Sequence, residues 1–91
     1  MKEYKVEFAD NAKHHIEKFA KAGNKTALKK IYKLVDELYE HPKEWTGKPE
    51  YLKYKKCWSR IIDSEHRLCY EIHDDVVIVL VVSAFGHYDN E

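Results

Sequence analysis

Glycine, proline and cysteine are scarce in this chain, and it has no long apolar stretch. With three Gly and two Pro among 91 residues, regular structure has few forced breaks. Together with a 44% hydrophobic content, that excludes a disordered or low-complexity chain. Cys57 and Cys69 are too few for a disulfide scaffold and too isolated for a zinc knuckle. Free, partly buried thiols are expected. The longest apolar run, from Val76 through Val82, falls far short of a membrane span, so no membrane partner is expected. Met1-Lys2-Glu3 leads into alternating sequence without an apolar leader core, which makes the cytoplasm the expected compartment. Net charge is missing too: 16 basic and 16 acidic side chains cancel.

Neutrality at first argues against a nucleic-acid partner, but the charges are unevenly placed. Residues 1–60 hold 15 basic and 9 acidic side chains, whereas residues 61–91 hold one basic and seven acidic. A dipolar protein of this kind can turn a basic face to phosphate and remain neutral overall. Lys21, Lys25, Lys29, Lys30 and Lys33 form one basic run, which a solvated helix face explains equally well. Lys43, Lys48, Lys53, Lys55, Lys56 and Arg60 form a second, interleaved with aromatics, and that run is the better candidate for function.

Periodicity divides the chain into one set of elements, a single domain over residues 1–91. Tyr4, Val6 and Phe8 alternate with Lys5 and Glu7 as in a half-buried strand. Asp10 or Asn11 can cap a first helix with Ala12, Ile16 and Phe19 on one face, and Gly23 ends it. A second helix is expected from about Lys25 to Glu40, with the stripe Leu28, Ile31, Val35 and Leu38, stopped by Pro42. No periodicity holds from His41 to Tyr51, and Leu52 belongs to a candidate short strand. Trp58 to Asp63 and Arg67 to His73 read as a hairpin around Ser64-Glu65. Val76 to Phe85 reads as a central strand covered on both faces. The order β-α-α-β-β-β predicts an α+β fold: a small antiparallel sheet with a two-helix hairpin on one face.

Hairpin parity then places side chains. An even loop sets Ile62 opposite Arg67 and Arg60 opposite Cys69. Trp58, Arg60, Ile62, Arg67, Cys69 and Glu71 would share the face away from the helices, with Ile61, Leu68, Tyr70 and Ile72 on the core face. The chain's two arginines would then meet on the open face. Trp58 is assigned to packing, His66 to capping the turn, and Glu65 and Glu71 are the carboxylates within reach of Arg67. His14-His15 points in two directions on a helix, and the six histidines lack ligand spacing, so no metal is expected.

Four motifs in series now carry a resemblance: Gly47-Lys48-Pro49-Glu50-Tyr51-Leu52-Lys53, Trp58-Ser59-Arg60, Glu65-His66-Arg67-Leu68 and His87-Tyr88. In order and approximate spacing they resemble the Txe/YoeB toxins of the RelE superfamily. The chain departs from that pattern in a shorter Tyr54-Lys55-Lys56-Cys57 segment without glycine and in the acidic tail Asp89-Asn90-Glu91. The resemblance implies a RelE-like domain acting as a toxin endoribonuclease that cleaves messenger RNA in the ribosomal 30S A site. It also implies neutralisation by a cognate antitoxin, leaves a homodimer open, and calls for no cofactor and no metal. The family's catalytic positions fall on Glu50, Arg67, His87 and Tyr88. Lys48, Lys53 and Arg60 fall on positions that bind phosphate or support the site.

Those residue types suit metal-free RNA cleavage. Such cleavage needs a base for the 2′-hydroxyl, an acid for the departing 5′-oxygen and positive charge on the phosphorane. Glu50 can be the base, His87 the acid and Arg67 the clamp on the non-bridging oxygens, while Tyr88 can stack on a base or hold the phosphate. The reverse assignment of Glu50 and His87 stays open. With a two-residue turn at Asp74-Asp75, strict alternation gives His87 the parity of the core side, and a bulge at Gly86 would re-aim it. Two other readings use the same scaffold: a toxin that binds a protein such as a topoisomerase without cutting RNA, and an inactive RNA-binding relative.

Overall fold

The computed structural model describes residues 3–84. Its elements run β1 Lys5–Phe8, α1 Asp10–Lys21, α2 Lys25–Leu38, β2 Glu50–Leu52, β3 Cys57–Ile61, β4 Arg67–His73 and β5 Ile78–Ser83. The strands form one sheet in the order β1-β5-β4-β3-β2, antiparallel throughout except that β1 lies parallel to β5. The expected α+β class holds, with β1 as a parallel edge strand.

Local chemistry explains most of the boundaries. Ala9 occupies the cap position of α1 and offers no side-chain hydrogen bond, so neither Asp10 nor Asn11 caps it. Asp10 instead lies in the first turn, and Lys18 and Lys21 in the last, as the helix dipole favours. Gly23, at φ +71°, closes α1: its N–H donates to Ala20 and the Asn24 N–H to Phe19. Asn24 then caps α2 by accepting from the Ala27 N–H at 3.1 Å. Helix α2 ends at Leu38, earlier than expected, and buries Ala27, Ile31, Leu34 and Leu38, with Leu28 and Val35 at the margin. Each fully buried Leu or Ile contributes about 1.5–3 kcal/mol.

One face of the sheet packs Ile62, Leu68, Tyr70, Val79 and Val81 into the same core as the helices. Strand β5 is interior to the sheet but not covered on both faces: Val79, Val81 and Ser83 are buried, whereas Ile78, Leu80 and Val82 are only half-buried. A bulge near its end sets Ser83 opposite Cys69 although Val81 is opposite Tyr70, which reverses the alternation one residue from the strand's end. The Ala84 N–H donates to His15 Nδ1 at 3.2 Å, tying α1 to that end. Burial, with Lys18 and His14 adding to it, holds the His15 imidazole below its usual range and so in the form that accepts.

The β3–β4 register differs from the expected one by a single residue. Ile61 pairs with Arg67, Arg60 with Leu68, Ser59 with Cys69 and Trp58 with Tyr70. The connection is odd because the Asp63 carboxylate accepts from the N–H groups of both Glu65 and His66, at 2.8 Å each, and folds a tight local turn. A slip of one residue exchanges every side chain between faces. Arg60 and Trp58 therefore belong to the helix side with Leu68 and Tyr70, and the two arginines do not meet.

Arg60 is fully buried and all five of its N–H donors are engaged. Nε donates to Tyr70 Oη at 3.0 Å, and Nη1 to Glu37 Oε1 at 2.9 Å and the Thr46 carbonyl at 3.3 Å. Nη2 donates to the carbonyls of His41 and Glu44. Tyr70, its hydroxyl pushed up by burial against the opposing effect of Arg60, stays protonated and donates onward to the Pro42 carbonyl at 2.7 Å. The segment without periodicity, 41–49, is thus wrapped around one cation. Gly47 completes the wrap at φ +87°: an added Cβ would meet Arg60 Cβ and Leu34 Cδ2 at 3.1 Å. Arg60, expected to bind phosphate or support the site, is withdrawn from phosphate. Its donors point inward and are spent on the loop.

Removing a buried cation strands its partners, so Arg60→Met is expected to cost about 3–5 kcal/mol in urea unfolding. Arg60→Lys should recover little of this, since an ammonium lacks the planar five-donor fork. A loss under about 1 kcal/mol for Arg60→Met would contradict this arrangement. Glu37 supplies a pH test. Burial alone would raise its carboxyl, but the two Thr46 contacts, Arg60 and Lys33 outweigh burial and hold it below the ordinary 4.5. With the folded value depressed, its contribution is complete above 4.5 and lost as pH falls through the folded value. The stability gap between the native chain and Glu37→Gln should therefore shrink on acidification from about pH 7 to about pH 3. A gap that stays constant would count against this carboxylate as Arg60's partner.

Candidate active site

On the opposite face of the sheet, a row of paired residues crosses four strands: Glu50 on β2, Ser59 on β3, Cys69 on β4 and Ser83 on β5. Arg67 opens β4 on the same face, opposite Ile61. Its Nη1 lies 3.0 Å from Ser59 Oγ and 3.3 Å from Glu50 Oε1. Neither Glu65 nor Glu71 takes Arg67; among the described residues, Glu65 lies beside His66 and Glu71 beside His73. The side chains of Glu50 and Arg67 are 59% and 24% exposed, so a ligand can reach both. Among the described residues, Arg67 Nε and Nη2 carry no hydrogen bond to protein, which leaves three N–H donors of the guanidinium fork for an anion.

Lys48 and Lys53 bracket β2 and are exposed. Lys48 adopts φ +51°, and so does Lys56 at +54°, which fills the left-handed position of the β2–β3 turn where no glycine is available. Beside Glu50 a shallow cavity of about 290 Å³ is lined by Tyr51, Leu52, Lys53 and Tyr54. Tyr54 is 80% exposed, and Tyr51 stands edge-on to Trp58 with ring centroids 5.7 Å apart. Under the row, Leu52, Cys57 and Cys69 form a small apolar floor, and both cysteines are buried and outside any disulfide among the described residues. Among the described residues no group of three His, Cys, Asp or Glu side chains is placed to hold a metal.

Of the expected site residues, the structure brings Glu50 and Arg67 together, sets Lys48 and Lys53 at the two ends of the strand that carries Glu50, and moves Arg60 to the other face. His87 and Tyr88 lie outside the described residues. Sequence reasoning missed Ser59, although the Trp58-Ser59-Arg60 motif contains it. In the observed register its position next to Arg60 puts it on the open face, so the correct hairpin parity would have revealed it. It also missed Glu37, a carboxylate among the apolar positions of α2. Chemically, the open face holds an accessible carboxylate that can take a proton and a guanidinium that can bind an anion, with an exposed lysine at either end of β2.

Comparison with known proteins identifies the family and the fold. A family model described as the YoeB-like toxin of bacterial type II toxin-antitoxin systems matches residues 8–88. Toxin YoeB of Escherichia coli strain K12 is 41% identical over 58 residues, covering 62% of this chain and 69% of that protein. Among solved structures, a YoeB/ParE toxin from Agrobacterium tumefaciens superimposes with a TM-score of 0.84 at 27% identity, covering 92% and 99% of the two chains. The toxin chain of a YoeB-YefM complex from Staphylococcus aureus does so with a TM-score of 0.76 at 32% identity, covering 93% and 98%. With the family model spanning nearly its whole length and the fold shared, this chain belongs to the YoeB-like toxin family of bacterial type II toxin–antitoxin systems.

Proposed function

We propose that this toxin is a metal-independent endoribonuclease that cleaves messenger RNA in the ribosomal A site and is silenced by a cognate antitoxin. The observation that carries the reading is the accessible Glu50 carboxylate 3.3 Å from Arg67 on the open face of the sheet. Glu50 takes the proton of a 2′-hydroxyl, and the freed oxygen attacks the adjacent phosphorus. The bond from phosphorus to the 5′-oxygen breaks, His87 protonates that oxygen, and a 2′,3′-cyclic phosphate and a 5′-hydroxyl result. Arg67 binds the non-bridging oxygens through its uncommitted donors and so supplies the positive charge this chemistry needs. Tyr88 holds the phosphate or stacks on a base, and Lys48 and Lys53 draw in the RNA backbone.

Before substrate arrives, Glu50 and Arg67 are paired with each other. A pair this exposed is worth about 0–1 kcal/mol, so an incoming phosphate displaces it readily. The ribosome contributes by holding the 2′-oxygen in line with the leaving group. The antitoxin belongs to the same reading. The Staphylococcus aureus relative is a complex with YefM, and a basic, accessible site suits an acidic segment that folds over it.

On programmed ribosomes carrying a defined messenger, Glu50→Gln, Arg67→Ala and His87→Gln should each reduce A-site cleavage about 10²-fold or more. The native chain should leave a 2′,3′-cyclic phosphate end. Near-native cleavage by Glu50→Gln would remove it from the base role. Binding to ribosomes without any cleavage by the native chain would overturn the nuclease reading and favour a toxin that acts by binding alone.

A further inference from the structure

Ser59 is the one residue of the open-face row in contact with Arg67 that no step above uses. Arg67 Nη1 is forked between two acceptors, Ser59 Oγ at 3.0 Å and Glu50 Oε1 at 3.3 Å, and the two differ in every property that matters for holding a cation. Ser59 is fully buried and lies on β3, flanked by β2 and β4. It has one side-chain rotor, and its oxygen is neutral. Glu50 is more than half exposed, lies on the edge strand β2, carries charge and turns about three side-chain bonds.

The proposed chemistry asks opposite things of these acceptors. A phosphate that binds Arg67 brings negative charge against Glu50, so the carboxylate must leave the guanidinium to reach the 2′-hydroxyl. If Glu50 were the sole anchor, Arg67 would lose its position at the moment it has to meet the phosphorane. Ser59 removes that conflict. It fixes the guanidinium through a short contact without neutralising it, and leaves the cation's charge available to the transition state. We propose that Ser59 is a positioning residue that keeps Arg67 in place while Glu50 is released to act as base. The role rests on the nuclease reading for its purpose, but the anchoring itself is a property of the substrate-free protein.

The test compares Ser59→Ala with Ser59→Thr, which restores the hydroxyl, after thermal melting shows that each folds. On programmed ribosomes Ser59→Ala should lower kcat about ten- to hundredfold, the loss of a hydrogen bond to a charged group, with KM changed less than about twofold. Ser59→Thr should stay within a few-fold of native. Without substrate, nitrogen-15 relaxation at the Arg67 Nε–Hε group should report an ordered side chain in the native protein and Ser59→Thr, and a mobile one in Ser59→Ala. Only two arginines need to be assigned. An ordered Arg67 in Ser59→Ala, or native kcat in that variant, overturns the proposal. If the native chain does not cleave, the nuclease reading fails by itself and relaxation alone decides the anchoring: lost order upholds it, retained order overturns it. If the added methyl of Ser59→Thr prevents folding, Ser59→Ala against the native chain still decides the anchoring through the same kcat and relaxation readouts.

Discussion

A guanidinium that is cut off from water must be surrounded by acceptors, and much of this molecule is arranged around meeting that demand at Arg60. Five donors in a rigid plane call for acceptors from several directions. They come from α2 through Glu37, from β4 through Tyr70, and from the aperiodic segment through the carbonyls of His41, Glu44 and Thr46. That segment contains no apolar stripe and no regular hydrogen-bond ladder, so the cation takes the place of secondary structure in giving it one conformation. Glu37 acts twice, pairing with Arg60 and accepting the Thr46 N–H at 3.0 Å. Gly47 then passes so close to Arg60 and Leu34 that an added Cβ would crowd both, and its carbonyl accepts the Ile61 N–H at 2.7 Å. The chain leaves this wrap at Lys48 and Pro49 and enters β2 at Glu50, with the carboxylate facing Arg67.

The two arginines thus divide their work by strand parity. Arg60 points into the core, where its charge is fully compensated and contributes stability and shape. Arg67 points out of the sheet, where it is only partly compensated and remains able to bind an anion. Ser59 and Arg60 are neighbours on β3 and face opposite ways. The same three-residue motif therefore fixes the buried cation and touches the exposed one. Function on the open face depends on packing on the helix face, because the residue that would act as base is delivered by the loop that Arg60 holds.

Much of this was legible in the residues. Helical periodicity located α1 and α2, Gly23 located the break between them, and the Glu50, Arg67 pair came from motif resemblance backed by the chemistry the two side chains allow. The misassigned strand faces share one cause: a strand's faces depend on the parity of its connections, and parity is decided by turn conformation. Ser64-Glu65 looked like the centre of an even loop, but the Asp63 carboxylate gathers two backbone N–H groups and makes the count odd. That one residue moved Arg60 from the expected site into the core. The bulge before Ser83 is the same kind of event and lies in β5, upstream of the expected Gly86. Glu37 was illegible for another reason. A carboxylate on an apolar stripe looks like an interruption until its buried cation, 23 residues away in sequence, is known.

One buried cation, on this account, gives an aperiodic segment the rigidity of the core. Native-state hydrogen exchange on the unmodified protein tests that most directly, read at the Thr46 and Ile61 amides, which bond to Glu37 and Gly47. Both should exchange as slowly as the amides pairing β4 with β5, opening only when the whole domain unfolds. Exchange of Thr46 and Ile61 at the rate of a free surface loop, with the sheet still protected, would contradict it.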